Sequence, residues 1–197
     1  MKMKVILLLA IATASLLILS QPAQAGYMVT LQQVGSNVVA TGSGAIDLTG
    51  LSFLGLSSTT ASIQPNAGFI SVVSGSVNEY NGFSGPSSFG PGFGGNASSS
   101  SGDAVFIFAT TELGVPSGYV SNSLLSDSST YNGATFATLG VTPGIYEWTW
   151  GTGLNQNFTL DALAPAVPDS GSTLGLLSLS VVALLGATRL RFLQLAA

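Results

Sequence analysis

Seven carboxylates are the only charged side chains between residues 26 and 167, and they define the acid–base or metal chemistry open to this part of the chain. They are Asp47, Glu79, Asp103, Glu112, Asp127, Glu147 and Asp161. A hydrolase that cleaves glycans needs two carboxylates about 5–9.5 Å apart, and no two of these acids share a motif. The sequence therefore predicts that the protein is not an enzyme. A close carboxylate pair in a cleft would instead favour a small glycan hydrolase.

Carboxylates also bind calcium, which prefers oxygen ligands. The acids here are isolated, and nothing resembles the D-x-D-x-D-G pattern of a calcium loop. A calcium site would have to assemble from distant loops. We therefore expect no cofactor and keep calcium as a minor alternative.

Three aromatic residues at alternate positions, Tyr146, Trp148 and Trp150, form a second candidate site. In a strand, residues two apart lie on the same face. Flat aromatic faces stack on sugar rings, so this strip is a possible carbohydrate-binding surface. The alternative is that the three side chains form part of the core, with Glu147 on the wet face. We expect the core arrangement.

Several chemistries are excluded by composition. The chain has no Cys and no His, which excludes disulfides, thiol catalysis and Ser-His-Asp triads. Its four basic residues lie at the two ends: Lys2, Lys4, Arg189 and Arg191. Because a surface without Lys or Arg cannot neutralise phosphates, we expect no nucleic-acid partner.

Short apolar runs separated by Gly, Pro and Ser make up residues 26–163, a pattern typical of an all-β domain. Tyr27 to Gln33 alternates and predicts a strand, which Gly35-Ser36 turns into a second strand over residues 37–41. Further strands are predicted over residues 69–73, 103–110, 134–139, 145–150 and 157–160. We expect a single β-sandwich-like, jelly-roll-like domain.

One segment of this domain departs from the pattern. Residues 81–102 combine repeated Gly-Phe pairs with Ser runs and carry no charge. They are predicted to form a flexible surface loop and not packed structure.

The N-terminus has the layout of a signal peptide over residues 1–25. Lys2 and Lys4 precede an apolar run, and Ala23 and Ala25 form the A-x-A site that signal peptidase accepts. We expect cleavage after Ala25 and export of the rest of the chain.

The C-terminus has a stiff linker over residues 164–173 and then a membrane-spanning helix and tail over residues 174–197. The stretch 174–188 has no charge and is just long enough to cross a bilayer. Arg189 and Arg191 are expected to stay on the cytoplasmic side, as are Lys2 and Lys4.

The C-terminal segment consists of a linker, an apolar helix and arginines, and the linker contains Val167, Pro168, Asp169, Ser170 and Gly171. This layout resembles the VPDSG variant of the PEP-CTERM sorting signal. The resemblance implies processing by an exosortase in a bacterium that makes extracellular polysaccharide. It also implies an inner-membrane-anchored precursor that is delivered to the cell surface or extracellular matrix. The apolar tail 192–197 departs from the usual short basic end.

The domain itself is similar to the ectodomain of a PEP-CTERM subgroup over segments 32–44, 85–90, 115–121 and 139–151. This similarity supports the architecture and implies no catalytic residue. The leading hypothesis is thus a secreted, non-catalytic envelope or matrix protein, with extracellular polysaccharide as a candidate partner. A carbohydrate-binding module is the alternative, and a small glycan hydrolase is the third.

Overall fold

The computed structural model of the protein describes residues 26–163, which form an all-β domain. The strands of this range, in chain order, are β1 (Tyr27–Val34), β2 (Asn37–Ala45), β3 (Ser52–Thr59), β4 (Ser62–Gln64), β5 (Phe69–Ser71), β6 (Gly75–Asn81), β7 (Gly95–Asn96), β8 (Ser99–Gly102), β9 (Phe106–Phe108), β10 (Glu112–Pro116), β11 (Leu124–Tyr131), β12 (Gly144–Thr149) and β13 (Asn157–Ala162). A one-turn helix, α1 (Phe136–Leu139), and a 3₁₀ turn over Pro65–Ala67 complete the elements of these residues.

The strands form two sheets. The six-stranded sheet has the order β12-β13-β1-β2-β11-β8, and the seven-stranded sheet has the order β3-β6-β10-β9-β5-β4-β7. β1 and β13 pair in parallel, whereas a jelly roll is antiparallel throughout. The two packed sheets confirm the prediction of an all-β sandwich.

The predicted N-terminal hairpin forms as expected. β1 and β2 pair antiparallel, with Val34 opposite Asn37 across the turn. Gly35 in this turn has φ of +60°, which glycine adopts without a steric cost. Tyr27, Val29 and Leu31 are fully buried, so the alternating face identified in the sequence faces the core.

One continuous hydrophobic core joins the inner faces of the two sheets. Val29 and Leu31 of the six-stranded sheet belong to the same buried cluster as Ile70, Ile107 and Leu113 of the seven-stranded sheet. Burying a side chain of this size contributes about 1.5–3 kcal/mol, so this cluster is the main source of stability.

Residues 81–102 lie largely at the surface, as predicted, but part of the segment is packed against the core, so the prediction of a loop without packed structure is wrong. The segment contributes β7 and β8 and buries Phe83 and Phe89, which are 8% and 1% exposed. The backbone N–H of Phe89 donates to the carbonyl O of Pro65, and its carbonyl accepts from Thr142. Large phenylalanines among the glycines explain the outcome, since their burial outweighs the low propensity of the surrounding residues.

Residues 136–139 form α1 and not the strand predicted over 134–139. Thr135 caps the helix: its Oγ1 accepts from the backbone N–H of Thr138 at 3.0 Å, and the Oγ1 of Thr138 accepts from the N–H of Thr135 at 2.8 Å. Gly140 ends the helix with φ of +69°. A reciprocal cap of this kind stabilises a turn that is too short to show helical periodicity.

The predicted signal peptide (1–25), linker and sorting motif (164–173), and membrane helix and tail (174–197) lie outside the described residues. Within residues 26–163, no helix is long and apolar enough to cross a membrane.

Candidate ligand-binding groove

A groove with a volume of about 350 Å³ runs across the outer face of the seven-stranded sheet. Its lining contains three phenylalanines, two glutamates and five side chains with hydroxyl or amide groups. Adjacent residues Phe106 and Ile107 belong to two separate hydrophobic clusters. Since successive side chains of a strand point to opposite faces, Ile107 enters the core and Phe106 lies on the groove face.

Strand register brings the phenylalanines and glutamates together. Phe108 of β9 lies between Phe69 of β5 and Glu112 of β10. In the next row, Gly114 of β10 lies between Phe106 of β9 and Glu79 of β6. Residues that are directly opposite in neighbouring strands share a face, so the pairing alone positions these groups on one surface.

Three aromatic rings form the floor of the groove. The Phe69 ring lies 5.7 Å from the Phe108 ring and 5.8 Å from the Phe106 ring, measured between centroids. Phe106 is only 3% exposed, whereas Phe108 is 37% exposed. A Cβ at Gly114 would collide with the Phe106 ring, so the glycine provides the space that this ring occupies.

Two carboxylates give the groove its charge. Partial burial raises the pKa of Glu112, and the negative charge of Glu79 raises it further. No Lys or Arg occurs between residues 5 and 188, so no basic side chain of that stretch can offset the two carboxylates. The groove therefore favours a ligand that carries positive charge.

Hydroxyl and amide groups of the end of β3, the connection after it and β4 line part of the groove: Ser58, Thr59, Thr60, Ser62 and Gln64. The Oγ1 of Thr59 donates to the Oγ of Ser71 at 2.9 Å, and the Oγ of Ser62 donates to the carbonyl O of Thr60 at 3.1 Å. These bonds fix the orientation of two hydroxyl groups. This side of the groove can exchange hydrogen bonds with a polar, uncharged part of a ligand.

The predicted aromatic strip is placed elsewhere, in the core. Trp148 is fully buried and Trp150 is 7% exposed, which confirms the core arrangement. Their indole Nε1 atoms donate to the carbonyl oxygens of Pro86 and Asp47, at 3.0 and 2.7 Å. Tyr146 is half-buried and donates to the carbonyl O of Thr142 at 2.9 Å. With both tryptophans enclosed, the strip offers no tryptophan face to a sugar ring.

Glu79 and Glu112 are a carboxylate pair in a groove, which is the feature expected of the hydrolase alternative. Sequence reasoning missed them because they are 33 positions apart and become neighbours only through the pairing of β6 and β10. Both side chains are only half-buried. A general acid for glycan cleavage needs a strongly shifted pKa, which deep burial provides and an open groove does not.

The remaining acids do not assemble into a metal centre. Among residues 26–163, no group of three or more acidic side chains is placed to hold a metal ion. Asp47 instead organises loops: its Oδ1 accepts from the N–H of Thr49 at 3.0 Å and from the Oγ of Ser121 at 3.1 Å. These hydrogen bonds, above all the one from Thr49, hold the pKa of Asp47 below its usual value.

The predicted sorting and topology residues lie outside the described range: Lys2, Lys4, Ala23, Ala25, Val167, Pro168, Asp169, Ser170, Gly171, Arg189 and Arg191. Comparison with known families nevertheless identifies the C-terminal signal. Residues 166–191 match the VPDSG-CTERM motif, a PEP-CTERM-type sorting signal. A signal of this type implies an exported protein that is processed by an exosortase and sorted to the surface.

No curated protein matches the chain. No solved structure matches it either.

Proposed function

We propose that the protein is a secreted, non-catalytic component of the cell envelope or extracellular matrix. The observation that carries this proposal is the VPDSG-CTERM motif at residues 166–191. Residues 26–163 support it, because they form an all-β domain with seven acidic and no basic side chains. Such a domain is suited to a stable, soluble role outside the cell.

The proposed route has two cleavages. Signal peptidase cuts after Ala25, and the apolar stretch 174–188 then anchors the precursor in the inner membrane. Lys2, Lys4, Arg189 and Arg191 remain on the cytoplasmic side. Exosortase then acts at the motif Val167–Gly171 and releases the domain to the surface or matrix.

Glycan binding is the second candidate function, and the groove supports it in place of the aromatic strip. An exposed Phe108 ring, two carboxylates and a row of hydroxyl groups lie on one surface. A sugar ring has an apolar face and a polar rim, and both find partners there.

Substitutions in the motif test the proposed function. In the full-length chain, Pro168→Ala with Asp169→Ala removes the motif, and Ser172→Ala with Thr173→Ala is the matched control in the same linker. We expect the motif variant to remain at precursor size in the membrane fraction, while the control is processed and released. Equal processing and release of both variants would overturn the proposal.

A further inference from the structure

We propose that the groove binds a glycan whose sugar rings carry free primary amino groups. This inference rests on the glycan-binding role proposed for the groove, and it specifies the chemical class of the glycan. Three properties of the groove support it: uncompensated negative charge, an aromatic floor, and a polar side formed by hydroxyl and amide groups.

Charge is the first property. Glu79 is close enough to Glu112 for its charge to raise the pKa of Glu112. Because no basic side chain occurs between residues 5 and 188, no residue of that stretch can offset this repulsion. An ammonium group placed between the two carboxylates removes the repulsion and forms charge-assisted hydrogen bonds. A neutral glycan leaves both charges without a partner.

The aromatic floor is the second property. Phe108 is 37% exposed and is held edge-on against Phe69, with 86° between the ring planes. Its position directly opposite Glu112 places an aromatic ring next to a residue that carries a carboxylate. An aromatic face attracts a cation within about 6 Å of its centroid and also packs against the apolar face of a sugar ring. An amino sugar uses both interactions at once.

The polar side of the groove distinguishes a glycan from a basic peptide. A lysine side chain could occupy the carboxylates and the aromatic floor, but its alkyl chain has no use for the hydroxyl and amide groups of the polar side, of which only Thr59 and Ser62 already donate within residues 26–163. Those groups match the hydroxyls around a sugar ring, each of which donates and accepts hydrogen bonds. At about 350 Å³ the groove is within the size range of small-ligand sites, so it accommodates a short stretch of a glycan chain.

Calorimetric titration of the full-length chain in detergent tests the inference without depending on export or processing. The probes are glucosamine oligomers, N-acetylglucosamine oligomers of equal length, and oligolysine of equal charge. The two glycans differ only in whether the amine is free. We expect the glucosamine oligomer to bind at least about tenfold more tightly than the acetylated one, with affinity falling as salt rises.

Variants locate the binding to the groove. Glu79→Gln with Glu112→Gln keeps the shape and removes the charge, so we expect the advantage of the glucosamine oligomer to disappear. Phe108→Ala should weaken both glycans about threefold to tenfold. Glu147→Gln removes an exposed carboxylate of β12, on the other sheet, and should leave binding unchanged. Loss of the advantage in Glu147→Gln as well would overturn the assignment to the groove.

The remaining outcomes separate this inference from the function on which it rests. Equal binding of the two glycans would overturn the requirement for an amine and leave glycan binding in place. Failure of both glycans to bind would overturn both this inference and the glycan-binding role of the groove. Oligolysine binding as tightly as the glucosamine oligomer would replace the glycan with a basic peptide. Release of reducing ends that is lost in Glu112→Gln would replace binding with hydrolysis.

Discussion

The phenol of Tyr27 donates a hydrogen bond of 2.5 Å to the Oδ2 of Asp127 in the interior of the sandwich. Asp127 is only 4% exposed. Burial raises the pKa of this carboxyl group to about 6, because it disfavours the charged form more than the hydrogen bond from Tyr27 favours it. The folded protein therefore binds this proton more tightly than the unfolded chain does.

The pH dependence of stability follows from Asp127. The contribution of Asp127 to the free energy of unfolding falls as pH rises from about 4 to about 6 and stays low above that range, because its pKa is raised in the folded state. Asp127→Asn keeps the acceptor for Tyr27 and has no charge to bury. At pH 7.5 we expect this variant to be more stable than the wild type by roughly 1–3 kcal/mol in urea unfolding.

At pH 4.5 the advantage of Asp127→Asn should shrink, since the wild-type carboxyl group is then protonated. Glu147→Gln, which changes an exposed carboxylate, is the control and should track the wild type. A stability difference between Asp127→Asn and the wild type that is the same at both pH values would contradict the assignment.

Trp148→Ala should destabilise the domain by about 3–5 kcal/mol, because it leaves a cavity in the core. Trp148 is fully buried, and its ring centroid is 5.7 Å from that of Phe158. Its indole N–H donates a hydrogen bond to the carbonyl O of Pro86. Thermal unfolding measures the loss, and tryptophan fluorescence of the wild type should be blue-shifted and resist quenching by iodide. Ile145→Ala, at a 74% exposed site of the same strand, should change stability by about 0.5 kcal/mol or less. A Trp148→Ala variant that keeps its melting temperature would refute core burial.

Phe89→Ala and Phe93→Ala test the packing of residues 81–102. Phe89 is 1% exposed and Phe93 is 83% exposed, so the same substitution should cost about 3–5 kcal/mol at the first position and close to nothing at the second. Limited proteolysis of the wild type should spare this segment, and Phe89→Ala should open it to cleavage. Rapid cleavage of this segment in the folded wild type would instead support the prediction of a flexible loop without packing.

Arg189→Ala with Arg191→Ala should impair release of the processed protein. These residues are the only charges beyond the motif, and without them the apolar tail is free to follow the chain across the membrane. Arg189→Lys with Arg191→Lys keeps the charge and should behave like the wild type. The measurement is the amount of processed protein in the medium by immunoblot. Unchanged processing of the alanine variant would show that Val167–Gly171 is sufficient.

The sequence predicts strands well where apolar and polar residues alternate, as in β1 and β12. It fails for β8, which is Ser99–Gly102 and fully exposed, and for β11, whose core-facing positions include Asp127 and Ser129. In such strands the pairing with neighbours determines the structure, and hydrophobic periodicity carries no signal. α1 was missed because its stability comes from capping by Thr135 and not from an apolar face.

The candidate groove could not be found from the sequence. Glu79 and Phe69 become neighbours of the β9–β10 hairpin only through long-range pairing of β6 and β5. The one local signal is the close spacing of Phe106, Phe108 and Glu112 on the two strands of that hairpin. The C-terminal sorting signal, in contrast, depends on local sequence and could be identified directly.

Intact mass of the protein recovered from culture, separated into medium, matrix and membrane fractions, is the most direct test of the proposed surface delivery. We predict that the chain in the medium or matrix begins at Gly26 and ends within or near Val167–Gly171, with any attached glycan appearing as added mass. We also predict that the longer precursor is confined to the membrane fraction. A chain that keeps residues 174–197 in the medium and matrix fractions would contradict release by cleavage at the motif.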